Sequence, residues 1–121
     1  MSNRKLTDFE YRLSRWMLEH SGPEALTFLT QLELTEVTSW RCPCGCASLN
    51  FQIQGRPEAP PGVHPIAEFL FGEGEDLSGI FIYESAGILS GLEVYGLGGP
   101  APKSLPAPGL LRPFEASAPD A

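Results

Sequence analysis

The sequence lacks any long hydrophobic run. Its longest apolar segments, such as GIFIY at 79–83, are far shorter than the roughly 20 residues that span a bilayer. The amino-terminal stretch MSNRKLTDFEYRL also lacks the apolar core of a signal peptide. We therefore expect a cytoplasmic protein without a membrane-spanning segment.

Basic residues are scarce. Eight lysines and arginines stand against 15 aspartates and glutamates, which gives a net charge of −7. A negatively charged surface repels phosphate groups, and this argues against nucleic acid and anionic membranes as partners. A basic protein partner would suit the charge, whereas the oligomeric state cannot be derived from it.

Cysteine is scarce as well. All three cysteines lie in one segment, RCPCGCAS at 41–48. Cytoplasmic thiols stay reduced, and an odd number of cysteines leaves one without a partner. A disulfide framework is therefore excluded.

Catalytic motifs are missing. The chain has two histidines, and no motif places either one as a base beside a cysteine. The C-x-x-C spacing of redox dithiols is absent, and the glycines of GLGGP at 96–100 do not join a strand to a helix. We assign no catalytic residue and expect a non-enzymatic protein.

Two helices are predicted at the amino terminus. Thr7 and Glu10 have the spacing of a capping box, which predicts a helix over TDFEYRLSRWMLEH. PEALTFLTQL, at 23–32, predicts a second and shorter helix. The predicted apolar stripe of the first helix consists of Phe9, Leu13, Trp16, Met17 and His20.

The rest of the chain favours strands. β-Branched residues in ELTEVTSW (33–40) and the alternation in LNFQIQ (49–54) predict two of them. Four prolines and two glycines predict a loop over 55–65, and IAEFLF at 66–71 fits either a helical turn or a strand. Two further apolar runs, GIFIY (79–83) and LSGLEVY (89–95), predict an antiparallel hairpin closed by Ser85, Ala86 and Gly87.

Helices followed by antiparallel strands predict an α+β fold. We expect two amino-terminal helices packed on one face of a four- or five-stranded, mainly antiparallel sheet. Residues 1–98 are predicted to form a single domain, with 99–114 as a proline-rich strap packed on it and 115–121 as a mobile tail.

The three cysteines, Cys42, Cys44 and Cys46, allow two interpretations. In the favoured one, Pro43 and Gly45 make a compact turn between two strands. At least one sulfur is then buried, and the thiols are protonated and unreactive because their surroundings are apolar.

In the alternative interpretation, the three cysteines bind zinc. Their C-x-C-x-C spacing departs from the C-x-x-C of a zinc knuckle, but alternate residues of an extended segment project to one side. His64, in a predicted loop, is the candidate for a fourth ligand, while His20 is better explained as a core residue or a helix cap.

The acidic excess lies outside the first helix, since residues 21–121 carry 12 of the 15 acidic residues against 4 of the 8 basic ones. GEGED at 72–76 lacks the ligand spacing of a calcium loop, and we predict that it is a solvated turn. We predict an acidic contact surface for a protein partner, formed by Glu68, Glu73, Glu75, Asp76 and Glu93.

Three segments, CPCGCASLNF, GIFIYESAGILSGLEVYGLGG and LPAPGLL, resemble a group of small bacterial proteins of uncharacterised function. The resemblance covers roughly residues 35 to 112 and implies no activity. The matching residues are Cys44, Gly45, Cys46, Gly87, Leu89, Leu92, Glu93, Val94 and Tyr95.

Two functions are consistent with these patterns. The first is a non-enzymatic, acidic protein-interaction module, similar in size and charge to immunity proteins that neutralise toxins. The second is a metal-binding or thiol-dependent protein centred on the three cysteines, with zinc as its cofactor.

Overall fold

A computed structural model describes residues 2–114, and the predicted mobile tail at 115–121 lies outside the described residues. None of the helices in the described part is both long and apolar enough to cross a membrane. The elements are β1 (Arg4–Lys5), α1 (Asp8–Glu19), α2 (Pro23–Leu26), α3 (Leu29–Leu32), β2 (Thr35–Val37), β3 (Leu49–Ile53), β4 (His64–Phe71), β5 (Ser78–Ser85), β6 (Ile88–Gly96) and β7 (Arg112–Pro113), with single 3-10 turns at Gly74–Asp76 and Pro108–Leu110.

The strands form one sheet in the order β1-β2-β3-β6-β5-β4-β7, and every neighbouring pair is antiparallel. The α+β class is confirmed, but the expectation of four or five strands was wrong because the sheet has seven strands within residues 2–114. The edge strands β1 and β7 have two residues each, too few for any periodicity to be visible.

The first helix is confirmed together with its capping box. The backbone N–H of Glu10 donates to the Thr7 hydroxyl at 3.1 Å, and the Glu10 carboxylate accepts from the Thr7 backbone at 2.9 Å. Leu13 and Met17 of the predicted stripe are fully buried, whereas Phe9 is 45% exposed and His20 caps the exposed end of the helix.

The predicted second helix is interrupted and becomes α2 and α3. The hydroxyl of Thr27 donates to the backbone oxygen of Glu24, an interaction that competes with the helical hydrogen-bond pattern. The N–H groups of Thr27 and Phe28 accordingly bond three residues back, as in a 3-10 turn.

Strand limits also differ from the predictions. In ELTEVTSW only Thr35–Val37 is a strand, because the N–H of Leu34 still closes α3 on Gln31. IAEFLF is a strand, and β4 already begins at His64, inside the segment expected to be a loop.

Helices and strands share one hydrophobic core. The Trp16 ring contacts that of Phe69 on β4, with 5.2 Å between the ring centres. The largest fully buried side chains of this core are Leu13, Met17, Leu18, Leu32, Ile53, Ile80, Ile82, Leu89, Leu92 and Val94.

The hairpin of β5 and β6 is confirmed, but its turn is shorter than expected. Ser85 pairs with Ile88, which leaves Ala86 and Gly87 as the turn. Their φ angles of 54° and 82° match a type I′ turn, which requires positive φ at both positions. Gln31 of α3 holds this turn by bonding the Gly87 oxygen and the Leu89 N–H, both at 2.8 Å.

Ala86 is the strained residue of this turn, since alanine disfavours positive φ and asparagine tolerates it. We expect Ala86→Asn to raise the free energy of unfolding by about 0.5–1 kcal/mol in urea denaturation. Ala59, in the loop before β4 and without a positive φ, offers the matched control, and Ala59→Asn should leave stability unchanged. Equal effects of the two substitutions would contradict the role assigned to backbone strain.

Candidate metal centre

The cysteine loop, residues 41–48, connects β2 to β3 and brings three sulfurs together. The N–H of Gly45 donates to the Cys42 oxygen at 2.9 Å and closes a tight turn. Cys42 Sγ and Cys44 Sγ are 2.8 Å apart, and the Cys46 N–H donates to Cys44 Sγ at 3.3 Å. All three sulfurs lie within 4.8 Å of one another, so this cluster could hold a metal ion.

The loop is fixed to the sheet through Ser48. Its hydroxyl accepts from the Val94 N–H of β6 at 3.0 Å and lies 3.3 Å from Cys46 Sγ. A second attachment comes from the carboxyl-terminal segment, where the Pro102 oxygen accepts from the Ala47 N–H at 3.0 Å. Cys46 therefore occupies a defined position beside a central strand.

The expected burial of a sulfur was wrong. Cys42 and Cys46 are half-buried, Cys44 is exposed, and all three are free thiols. The loop is attached to Val94 of β6 and to Pro102, and these attachments leave its turn at Cys44 exposed to solvent. Only Cys46 contacts the edge of the hydrophobic core.

Two of the thiols, those of Cys44 and Cys46, differ in pKa, whereas all three were expected to be protonated and unreactive. Burial opposes ionisation of Cys46, but hydrogen bonds from the Ser48 side chain and backbone and from the other thiols outweigh it and lower its pKa to about 7. Hydrogen bonding with Cys42 and then with Cys46 raises the pKa of Cys44 to about 11. The cluster thus contains one thiol that ionises near neutral pH, which makes it a ready ligand.

A cleft of about 350 Å³ lies beside the cysteines. Arg4, Arg41 and Lys103 contribute to its lining, and Glu10 is its one carboxylate. Sequence reasoning missed Lys103 because no local pattern links it to the cysteine loop. It arrives through the attachment of Pro102 to Ala47.

His64 lies apart from the three sulfurs. Ser48 joins β6 at Val94, close to the end of that strand, whereas His64 pairs with Glu84, whose neighbour on β6 is Leu89 near its start. The proposed fourth ligand is therefore engaged at the other end of the sheet. His20 bonds the Trp16 oxygen at 2.7 Å and stacks on the Trp16 ring.

A second cluster surrounds His64. Its Nδ1 is 2.6 Å from a Glu84 oxygen and 3.7 Å from one of Glu24, so the imidazole links α2 to the sheet. The hydrogen bond to Glu84 raises the pKa of His64 and lowers that of Glu84. The three groups lie close enough to hold a metal ion, but their mutual pairing explains the arrangement without one.

The two pKa shifts define a pH window for this pair. The depressed Glu84 pKa gives stability that is present above 4.5 and is lost as the pH falls through the lowered value. The raised His64 pKa gives stability that is present below 6.5 and is lost as the pH rises through the higher value. The contribution is therefore complete between these two pH values.

NMR titration of His64 should give a pKa above 6.5. Glu84→Gln should move it back toward that value, because the neutral amide no longer favours imidazolium. Glu58→Gln, at an exposed loop position, should leave the titration unchanged. An unshifted His64 in the wild-type protein would contradict the pairing.

The five predicted acidic residues separate into two groups. Glu68, Phe81 and Glu93 lie directly opposite one another on β4, β5 and β6, so they share one face of the sheet. Glu73, Glu75 and Asp76 instead lie in the connection between β4 and β5. We call Glu68 and Glu93, together with Phe81 between them, the acidic row.

Aromatic rings surround the acidic row. Tyr95 crosses β5 above Gly79, where an added Cβ would lie 2.2 Å from its ring, and its hydroxyl donates to Glu68 at 2.8 Å. Burial and then this carboxylate raise the pKa of Tyr95 to about 12. Phe81 lies 5.8 Å from Tyr83 and 5.9 Å from Tyr95 between ring centres. Carboxylates and aromatic faces together favour a cationic group.

Comparison of the chain with protein-family models, with curated proteins and with solved structures finds no match. The resemblance to a bacterial family therefore stays a prediction.

Proposed function

We propose that this protein binds a soft metal ion, zinc in the first instance, through the thiolates of Cys42, Cys44 and Cys46. The observation that carries the proposal is the mutual approach of the three sulfurs to within 4.8 Å. Thiolates at about 2.3 Å from a tetrahedral zinc are about 3.8 Å apart, so small movements of an exposed loop suffice.

The chemistry of the donor set supports the same proposal. Three thiolates select zinc or copper(I) over the hard cations calcium and magnesium. Binding requires reduced cysteines, in keeping with the predicted cytoplasmic location. Ionisation of Cys46 near neutral pH lowers the cost of forming the first metal–sulfur bond.

Three protein ligands leave the fourth position of a tetrahedral zinc open. No fourth histidine, cysteine, aspartate or glutamate within residues 2–114 joins the group formed by the sulfurs. Structural zinc sites normally use four protein ligands, whereas sites with three keep a place for water or a substrate. A bound zinc ion would supply Lewis acidity at that open position.

The zinc-loaded protein should retain one zinc ion per chain after gel filtration, measured by mass spectrometry. Cys44→Ser should weaken zinc affinity by at least about tenfold in competition with a chromophoric chelator, because a ligand is lost. Cys44 is exposed, so this variant should fold normally.

His64→Ala is the control for this experiment, since His64 lies with Glu84 and should not affect zinc affinity. A protein that binds no zinc and whose three thiols react freely would contradict the proposal. An equal loss of zinc in His64→Ala would place the ion elsewhere.

A second candidate function is the acidic protein-interaction module. It is favoured by the acidic row, in which Glu68 and Glu93 flank the half-buried ring of Phe81. A basic protein segment could place its cations against these carboxylates and the tyrosine rings. The predicted surface is larger than the row, because it also includes Glu73, Glu75 and Asp76.

A short arginine-containing peptide provides a probe of this surface. We expect it to shift the NMR signals of Phe81 and Tyr95, and expect association to slow as salt screens the exposed charges. Glu93→Lys should weaken binding more than Glu58→Lys, a matched charge reversal at an exposed loop position. Equal effects of both reversals would indicate attraction by net charge alone, without a defined surface.

The loop residues require their own comparison. If Glu75→Lys weakens the peptide as much as Glu93→Lys, the connection between β4 and β5 belongs to the contact surface. If Glu75→Lys behaves like Glu58→Lys, the surface is confined to the acidic row.

A further inference from the structure

The cleft beside the cysteine loop is positively charged in an otherwise acidic protein. Three of the eight basic residues of the chain, Arg4, Arg41 and Lys103, line it. Its one carboxylate, Glu10, is already paired, since Arg4 donates to its two oxygens at 2.9 and 3.0 Å. Two positive charges, those of Arg41 and Lys103, remain uncompensated by the residues that line the cleft.

Neither remaining cation has a partner in the described part of the chain. The side chains of Arg41 and Lys103 make no hydrogen bond or ion pair within residues 2–114. Both residues are exposed, so packing against other side chains does not fix their positions. Their charges are therefore available to a ligand.

Lys103 stands close to the sulfurs. Its Nζ would be 3.4 Å from a Cβ added at Gly45, the residue between Cys44 and Cys46. The hydrogen bond between Ala47 and Pro102 keeps the neighbouring backbone in place. Arg41 directly precedes Cys42 and lines the same cleft as Lys103.

We propose that the open fourth position of the metal is filled by a small anionic ligand whose charge is met by Arg41 and Lys103. This inference rests on the proposed metal site and adds the chemical class of its exchangeable ligand. Zinc with three thiolates carries one net negative charge, and a further anion would be repelled without nearby cations. Arg41 and Lys103 supply that compensation.

The test uses cobalt(II)-loaded protein, because sulfur-to-cobalt absorption reports ligands at the metal directly. Two probes, mercaptoethanesulfonate and mercaptoethanol, offer the metal the same thiol and differ in a negative sulfonate. We expect the sulfonate to bind about fivefold more tightly, the order of magnitude for exposed ion pairs. This preference should fall as salt concentration rises.

Lys103→Gln and Arg41→Gln should each weaken mercaptoethanesulfonate, which carries a thiolate and a sulfonate charge, more than mercaptoethanol, which carries the thiolate charge alone. The preference for the sulfonate should therefore fall in both variants. Arg56→Gln is the matched control at an exposed position away from the cleft, and it should keep the full preference. Equal affinity of the two probes for the wild-type protein would overturn the inference, as would a preference that survives both substitutions.

Failure of the metal proposal itself gives a different result. In that case cobalt(II) produces no sulfur-to-metal absorption in the wild-type protein, and neither probe changes the spectrum. If the absorption appears but the two probes bind equally well, the metal site is supported and the role of Arg41 and Lys103 in binding an anionic ligand is contradicted.

Discussion

The pairing of β5 with β6 is the interaction on which the rest of the structure depends. It runs from Ser78 opposite Gly96 to Ser85 opposite Ile88, and its outer neighbours are β4 and β3. One face of this ladder supplies core residues such as Ile80 and Ile82, and the other carries the acidic row. Whatever weakens the ladder therefore disturbs the core and the exposed face together.

The same ladder separates the two clusters of potential ligands. The cysteine loop is attached by Ser48 to Val94, whereas His64 is held by Glu84 at the other end of β5. A site that combined the sulfurs with this imidazole would have to extend along most of the ladder. Three sulfurs instead lie close enough to hold a metal ion, beside a cleft lined by Arg4, Arg41 and Lys103, on a protein whose net charge is −7.

Features that depend on neighbouring residues could be predicted from the sequence, and they account for much of this fold. Features that depend on contacts between distant segments could not be predicted. The capping box of Thr7 and the hairpin around Gly87 each depend on a few neighbouring residues, so they were visible in the sequence. The two-residue edge strands exist only through their partners. The position of Lys103 over the cysteine loop, like that of Phe81 between two glutamates, follows from docking and register that no pattern in one sequence expresses.

X-ray absorption at the zinc edge of the zinc-loaded protein tests the central claim most directly, because it counts the atoms around the metal. Binding by Cys42, Cys44 and Cys46 predicts three sulfur neighbours at about 2.3 Å and one exchangeable position. A shell of nitrogen and oxygen atoms, or a single sulfur, would contradict the account.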